Sequence, residues 1–145
     1  MIICYFLMLI NLINLIVVGT SGFWGHSVFG TSHTRFALFM ILIFTITETV
    51  VMYFFISTGK AIKTAITSGL GTQSLWGRER KLKMTLFPQL MLTILLVGGW
   101  FIPTKWLHWP LFFLAFIHHL WSLKIKNSSF REQLSIISEL EPEPT

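Results

Sequence analysis

Four long apolar runs, each interrupted by only a few polar side chains, divide this sequence: Ile2–Val18, Phe36–Ile56, Met84–Ile102 and Trp106–Ile125. At about 1.5 Å rise per residue, helices of this length span a hydrocarbon core of about 30 Å. The second run is apolar around its whole circumference, unlike a helix that covers a soluble core. The pattern predicts an all-α integral membrane protein, with a bundle of four transmembrane helices in residues 1–127. Residues 128–145 read as a tail. Ser129 followed by Glu132 has the capping-box spacing and predicts a short amphipathic helix to about Leu140, through Phe130, Leu134, Ile137 and Leu140. The tail closes on the acidic EPEPT.

Between the runs the sequence predicts loops. Gly19–Arg35 is rich in Gly, Ser and Thr, and Thr64–Lys83 contains Ser68-Gly69-Leu70-Gly71, a breaker. Pro103-Thr104-Lys105 reads as a tight turn, and Pro88 falls near the start of the third run, where a missing N–H is tolerated. No Lys or Arg precedes the first run, which favours a retained helix over a signal peptide. Ser57-Thr58-Gly59-Lys60 lacks the full phosphate-loop spacing, so Lys60 and Lys63 read as snorkelling anchors.

Composition agrees with the pattern. Hydrophobic residues are 53% of the 145 and charged residues 12%, about half the share in a soluble domain. The net charge of +5 does not point to nucleic acid, because the basic residues flank the apolar runs. Lys60, Lys63, Arg78, Arg80, Lys81, Lys83, Lys124, Lys126 and Arg131 fall on one side, and only Arg35 and Lys105 on the other. The positive-inside rule then places both termini and the 64–83 segment on the cytoplasmic or matrix side of a bacterial or organellar inner membrane. The cluster Arg78, Arg80, Lys81, Lys83 is a topology signal and, with Lys60 and Lys63, a candidate contact for membrane lipids. Trp24, Trp100, Trp106 and Trp109 form an aromatic belt at the outer interface. A single cysteine, Cys4, excludes an intrachain disulfide.

Candidate chemistry centres on Glu48, the one charged side chain in the second run. A carboxylate at that depth costs about 2.5–3.5 kcal/mol on insertion scales and needs a partner or a role. Counting residues from the run boundaries puts Glu48 level with His118 or His119 of the fourth helix, with Asn11, Gln89 and Thr93 within a turn or two. This layer suits a haem, a transition metal or a proton relay; its structural alternative is a Glu–His or Glu–Asn bond that fixes helix register. At the outer interface His26, His33 and His108 are a second candidate set, for copper or zinc. No nucleophile–base pair and no E-x-x-H di-iron motif occurs. The expectation is a small, non-catalytic subunit or accessory protein of a larger membrane complex, energy-converting or redox in kind, packed against other subunits or its own copies. The alternative is a stand-alone haem- or metal-binding, or proton- or ion-conducting, protein.

Overall fold

The computed structural model describes residues 1–101 and 105–140, and among them the chain is four α-helices. These are α1 (Ile2–Trp24), α2 (His33–Thr67), α3 (Gln73–Gly99) and α4 (Lys105–Ser138). Three of them, α1, α2 and α3, are long and apolar enough to cross a membrane. The Pro103-Thr104 turn and the EPEPT end lie outside the described residues.

Each helix runs antiparallel to the one before it, and α1–α2, α2–α3 and α3–α4 form the main contacts. Paired residues give the register. Thr93 meets His118 and Arg78 meets Glu132 across α3 and α4, so numbers fall on one helix as they rise on the other. Helices α2 and α4 run in the same direction, since Phe44 meets His119 and Thr58 meets Gln133.

The helices are longer than the apolar runs. Gly19 and Gly22, read as loop residues, are helical because their missing side chains seat neighbours: Phe112 lies against Gly19, and a Cβ on Gly22 would stand 2.8 Å from His33 Cε1. Small residues of this kind let membrane helices approach closely. α1 ends instead at Gly25, which takes the left-handed φ of 68°. The α1–α2 loop closes with Val28 and Thr31 exchanging backbone hydrogen bonds across Phe29 and Gly30, both at positive φ. α2 and α3 each extend well into the expected 64–83 loop, leaving a turn that Gly69 and Gly71 make at φ 90° and 77°. Pro88 stands in the middle of α3 rather than at its start.

The expected separate tail helix is absent. Ser129 to Ser138 simply continues α4. Asn127-Ser128-Ser129 contains neither Gly nor Pro, and the buried positions keep helical spacing across it: Ser122, Lys126, Ser129, Gln133, Ile136. Phe130, one of the four residues of the predicted amphipathic face, is fully buried among Tyr5, Phe54 and Phe55, while Leu134 is exposed.

Packing divides the interior into three apolar clusters. The first gathers Leu15, Val18, Met40, Phe44, Val97, Trp100 and Phe112 towards the α1–α2 loop, the second gathers Met8, Val51, Phe55, Leu86, Leu90 and Phe130, and the third joins Ile62, Leu75 and Ile136 near the α2–α3 turn. Along the helices the buried Asn11, Thr47, Glu48 and Thr93 fall between the first two clusters.

Candidate functional site

Glu48 faces the bundle interior and is fully buried, and its partner is Lys126 of α4, itself fully buried. Lys126 Nζ donates to Glu48 Oε1. Glu48 therefore makes no bond to either histidine. Lys126, counted above among the topology charges, is drawn inside. Phe44 packs edge-on against His119 with ring centroids 5.0 Å apart, so His119 is level with Phe44, one turn before Glu48. Helical side chains lean towards the N-terminus, and a lysine stem covers about a turn. Lys126 thus reaches back along α4 to the level of Glu48. Ser122, between His119 and Lys126 on the same face, is also buried.

Several atoms of this layer have no hydrogen-bond partner among the described residues: Glu48 Oε2, Asn11 Nδ2, Ser122 Oγ and both ring nitrogens of His119. Asn11 approaches α2 through Oδ1, 3.4 Å from the Thr47 hydroxyl, whose single proton points mainly to Ile43 O at 2.9 Å.

His118 has a different role. It turns towards α3, with Nδ1 3.0 Å from Thr93 Oγ1 and Nε2 3.2 Å from Gln89 Oε1. The Thr93 hydroxyl donates to Gln89 O at 2.7 Å, which leaves its oxygen to accept from His118. The adjacent histidines thus serve separate helices, as the 100° step between neighbours on a helix requires.

At the end of the bundle that carries the α1–α2 loop, His33 and His108 meet, ring centroids 6.1 Å apart, beside Trp100. Trp100 Nε1–H donates to His108 Nε2 at 3.2 Å, so the neutral His108 ring carries its proton on Nδ1. Ser21 Oγ donates to Val18 O and accepts from His33 Nδ1, which leaves His33 Nε2 as the one unprotonated nitrogen of its ring. The two rings border a cavity of about 320 Å³ with Thr34, Ala37 and Phe101. His26 is exposed in the loop and does not line that cavity. Among the described residues no three His, Cys, Asp or Glu side chains converge where a metal could be held.

The opposite end, at the α2–α3 turn, carries Arg78, Glu79 and Lys83. Glu79 is fully buried on α3, and Lys83 Nζ lies 2.7 Å from its Oε1, off the direction of a hydrogen bond. Both side chains occupy the space a Cβ on Gly59 would take. Next to it, Thr58 accepts from Gln133 Nε2 at 2.9 Å. Arg78 clasps the end of α4, with Nε 2.8 Å from Glu132 Oε1 and Nη1 2.6 Å from Glu139 Oε1. Lys63 lies over the Trp76 ring, 5.6 Å from its centroid, and Lys60, Arg80 and Lys81 are exposed. The basic cluster is therefore two populations, Arg78 and Lys83 held by carboxylates and Arg80 and Lys81 facing out.

Lys126, Glu79, Gly59 and Gln133 were not marked as site residues by sequence. The usable signal for Lys126 was spacing: it lies four after Ser122 and seven after His119, on their face. No family model, curated protein or solved structure matches the chain.

Proposed function

We propose that the chain is a four-span membrane protein, with α4 crossing through Trp106–Ile125 and both termini on the cytoplasmic or matrix side, and that it acts as a non-catalytic subunit or accessory protein of a larger energy-converting or redox complex. The observation that carries this reading is the Glu48–Lys126 pair. The one carboxylate at mid-helix depth is neutralised within the bundle, which makes it a device for helix register rather than an open reactive group. Outward, the helices present apolar side chains such as Phe6, Leu9, Phe39, Leu42, Leu95, Phe113 and Ile117, a surface for lipid and neighbouring helices. Native mass spectrometry of the protein extracted from its own membrane tests this. Further subunits should accompany the chain, and a bare monomer under conditions that preserve other complexes overturns the reading.

His119 supports a second reading, a haem- or metal-binding or proton-conducting protein. Its two unpartnered ring nitrogens sit one turn from Glu48, in the class of groups that carry protons or axial ligands in membranes. A Soret band in the purified protein, lost in His119→Ala and kept in His118→Ala, would favour the haem form of it.

A further inference from the structure

Between α3 and α4, at the end bearing the α2–α3 turn, lies a groove of about 330 Å³ lined by Arg78, Lys81, Leu82 and Thr85 from α3 and Ser128, Ser129 and Glu132 from α4. Its charged groups differ in availability. Arg78 is engaged by Glu132 and by Glu139. Lys81 is exposed and makes no ion pair among the described residues. The serines are equally uncommitted. Hydroxyls on these two helices commonly turn back onto their own backbone, as Thr85 does to Lys81 O, Thr93 to Gln89 O and Ser138 to Ser135 O. Among the described residues Ser128 and Ser129 form no such bond, although both line the groove. An ammonium and two free hydroxyl donors facing one hollow match the needs of a tetrahedral phosphate oxyanion.

We propose that this groove binds a phosphate group, held by Lys81 Nζ and the hydroxyls of Ser128 and Ser129, with the Arg78–Glu132 pair as its rim. It rests on the membrane reading given above for the source of that phosphate. The groove sits at the ends of the third and fourth apolar runs, Met84 and Ile125, where lipid head groups lie, so an anionic phospholipid is one source and free phosphate the other. This differs from the diffuse attraction of a basic cluster to an anionic surface, which depends on charge count and not on which lysine or serine is present.

The test uses a charge-matched pair of variants. Arg80 is exposed, adjacent to Lys81 and outside the groove. Lys81→Gln and Arg80→Gln each remove one charge from the same segment. In nanodiscs of mixed phosphatidylglycerol and phosphatidylcholine, the full chain should retain phosphatidylglycerol. Lys81→Gln should lower retention about tenfold, as loss of one charge-assisted bond implies. Ser128→Ala/Ser129→Ala should lower it similarly, and Arg80→Gln less than twofold. Inorganic phosphate added to the protein in uncharged detergent separates the sources. Saturable binding that Lys81→Gln abolishes assigns the site to free phosphate; lipid retention without it assigns the site to a head group. The phosphate arm does not depend on orientation or on partner subunits, so it stands apart from failure of the membrane-subunit reading. Equal losses for Lys81→Gln and Arg80→Gln, or no binding in either arm, overturn the proposal.

Discussion

Lys126 reaches about one helical turn back along α4 to donate to Glu48 on α2, and both side chains are wholly withdrawn from solvent. Two opposite charges buried together are close to neutral for stability, whereas either one left alone is costly, at about 3–5 kcal/mol. Glu48→Gln and Lys126→Met should therefore each destabilise the bundle by roughly that amount. The double variant should recover most of the loss. Unfolding of the purified protein in mixed detergent, read as a double-mutant cycle, measures the coupling. Additive losses would show that the two side chains act independently.

Gly59 and Glu79 form the second crossing that a single atom would disturb. A Cβ on Gly59 would overlap the Glu79 carboxylate and the Lys83 ammonium, and Glu79 is fully buried. Gly59→Ala favours the helix intrinsically, by about 1 kcal/mol. Overpacking costs about 1–3 kcal/mol, and displacing a buried ion pair adds to that. Net destabilisation is expected, larger for Gly59→Val, and Glu79→Ala should relieve the steric part. Thermal unfolding of the single and paired variants reads the sign; a stabilised Gly59→Ala would place Glu79 elsewhere.

The helices themselves were legible because apolar runs of transmembrane length leave few alternatives, and the inward orientation of Glu48 followed from the cost of a carboxylate in hydrocarbon. Its partner was not legible. Counting Cα depth from the run boundaries matched Glu48 to His119, but the helices begin before or after those boundaries, and a lysine spans a turn that a Cα count ignores. Lys126 also looked like an ordinary flanking charge, but it is buried where Lys60 and Lys63 are exposed. Glycines misled in the same way. Gly19 and Gly22 read as loop formers in isolation, yet Phe112 and His33 fill the space above them. Nor could one sequence foretell that α4 runs unbroken into the tail, because Ser129 and Glu132 satisfy a cap pattern that the continuous helix does not use. Glu132 bonds Arg78 instead.

That Arg78 clasp has a pH dependence with a definite sign. Hydrogen bonds from Arg78, then from Ser135, hold the Glu139 carboxyl below its ordinary value. A carboxylate with a depressed folded pKa stabilises the docked state above its unfolded pKa and loses that contribution as pH falls through the folded value. The end of α4 should therefore stay docked at neutral pH and loosen as the solution becomes acidic enough to protonate Glu139. Hydrogen exchange of the peptide around Ser135–Leu140 should rise with acidification after correction for intrinsic rates. Arg78→Ala should be loose throughout with little pH response. Because both partners are exposed, salt should weaken the clasp as well. A wild-type peptide with flat protection across the acidic range would show that the clasp does not hold the helix end.

Orientation provides the last prediction. Basic residues crowd the end of the bundle that carries the α2–α3 turn, with Lys60, Lys63, Arg80 and Lys81 exposed there. The opposite end presents Trp24 at the end of α1 and His26 in the α1–α2 loop. Translocating the basic end would oppose the charge bias that sets the topology of short loops. The turn should therefore remain on the cytoplasmic or matrix side. Ser74 lies on the first turn of α3, exposed and distant from the buried polar layer, so a cysteine there reports location without disturbing packing. With Cys4 replaced by Ser, Ser74→Cys should resist an impermeant maleimide in intact cells and react after permeabilisation, and a cysteine at Ser27 should do the reverse. Labelling of Ser74→Cys in intact cells would invert the topology and move the basic groove to the outer face.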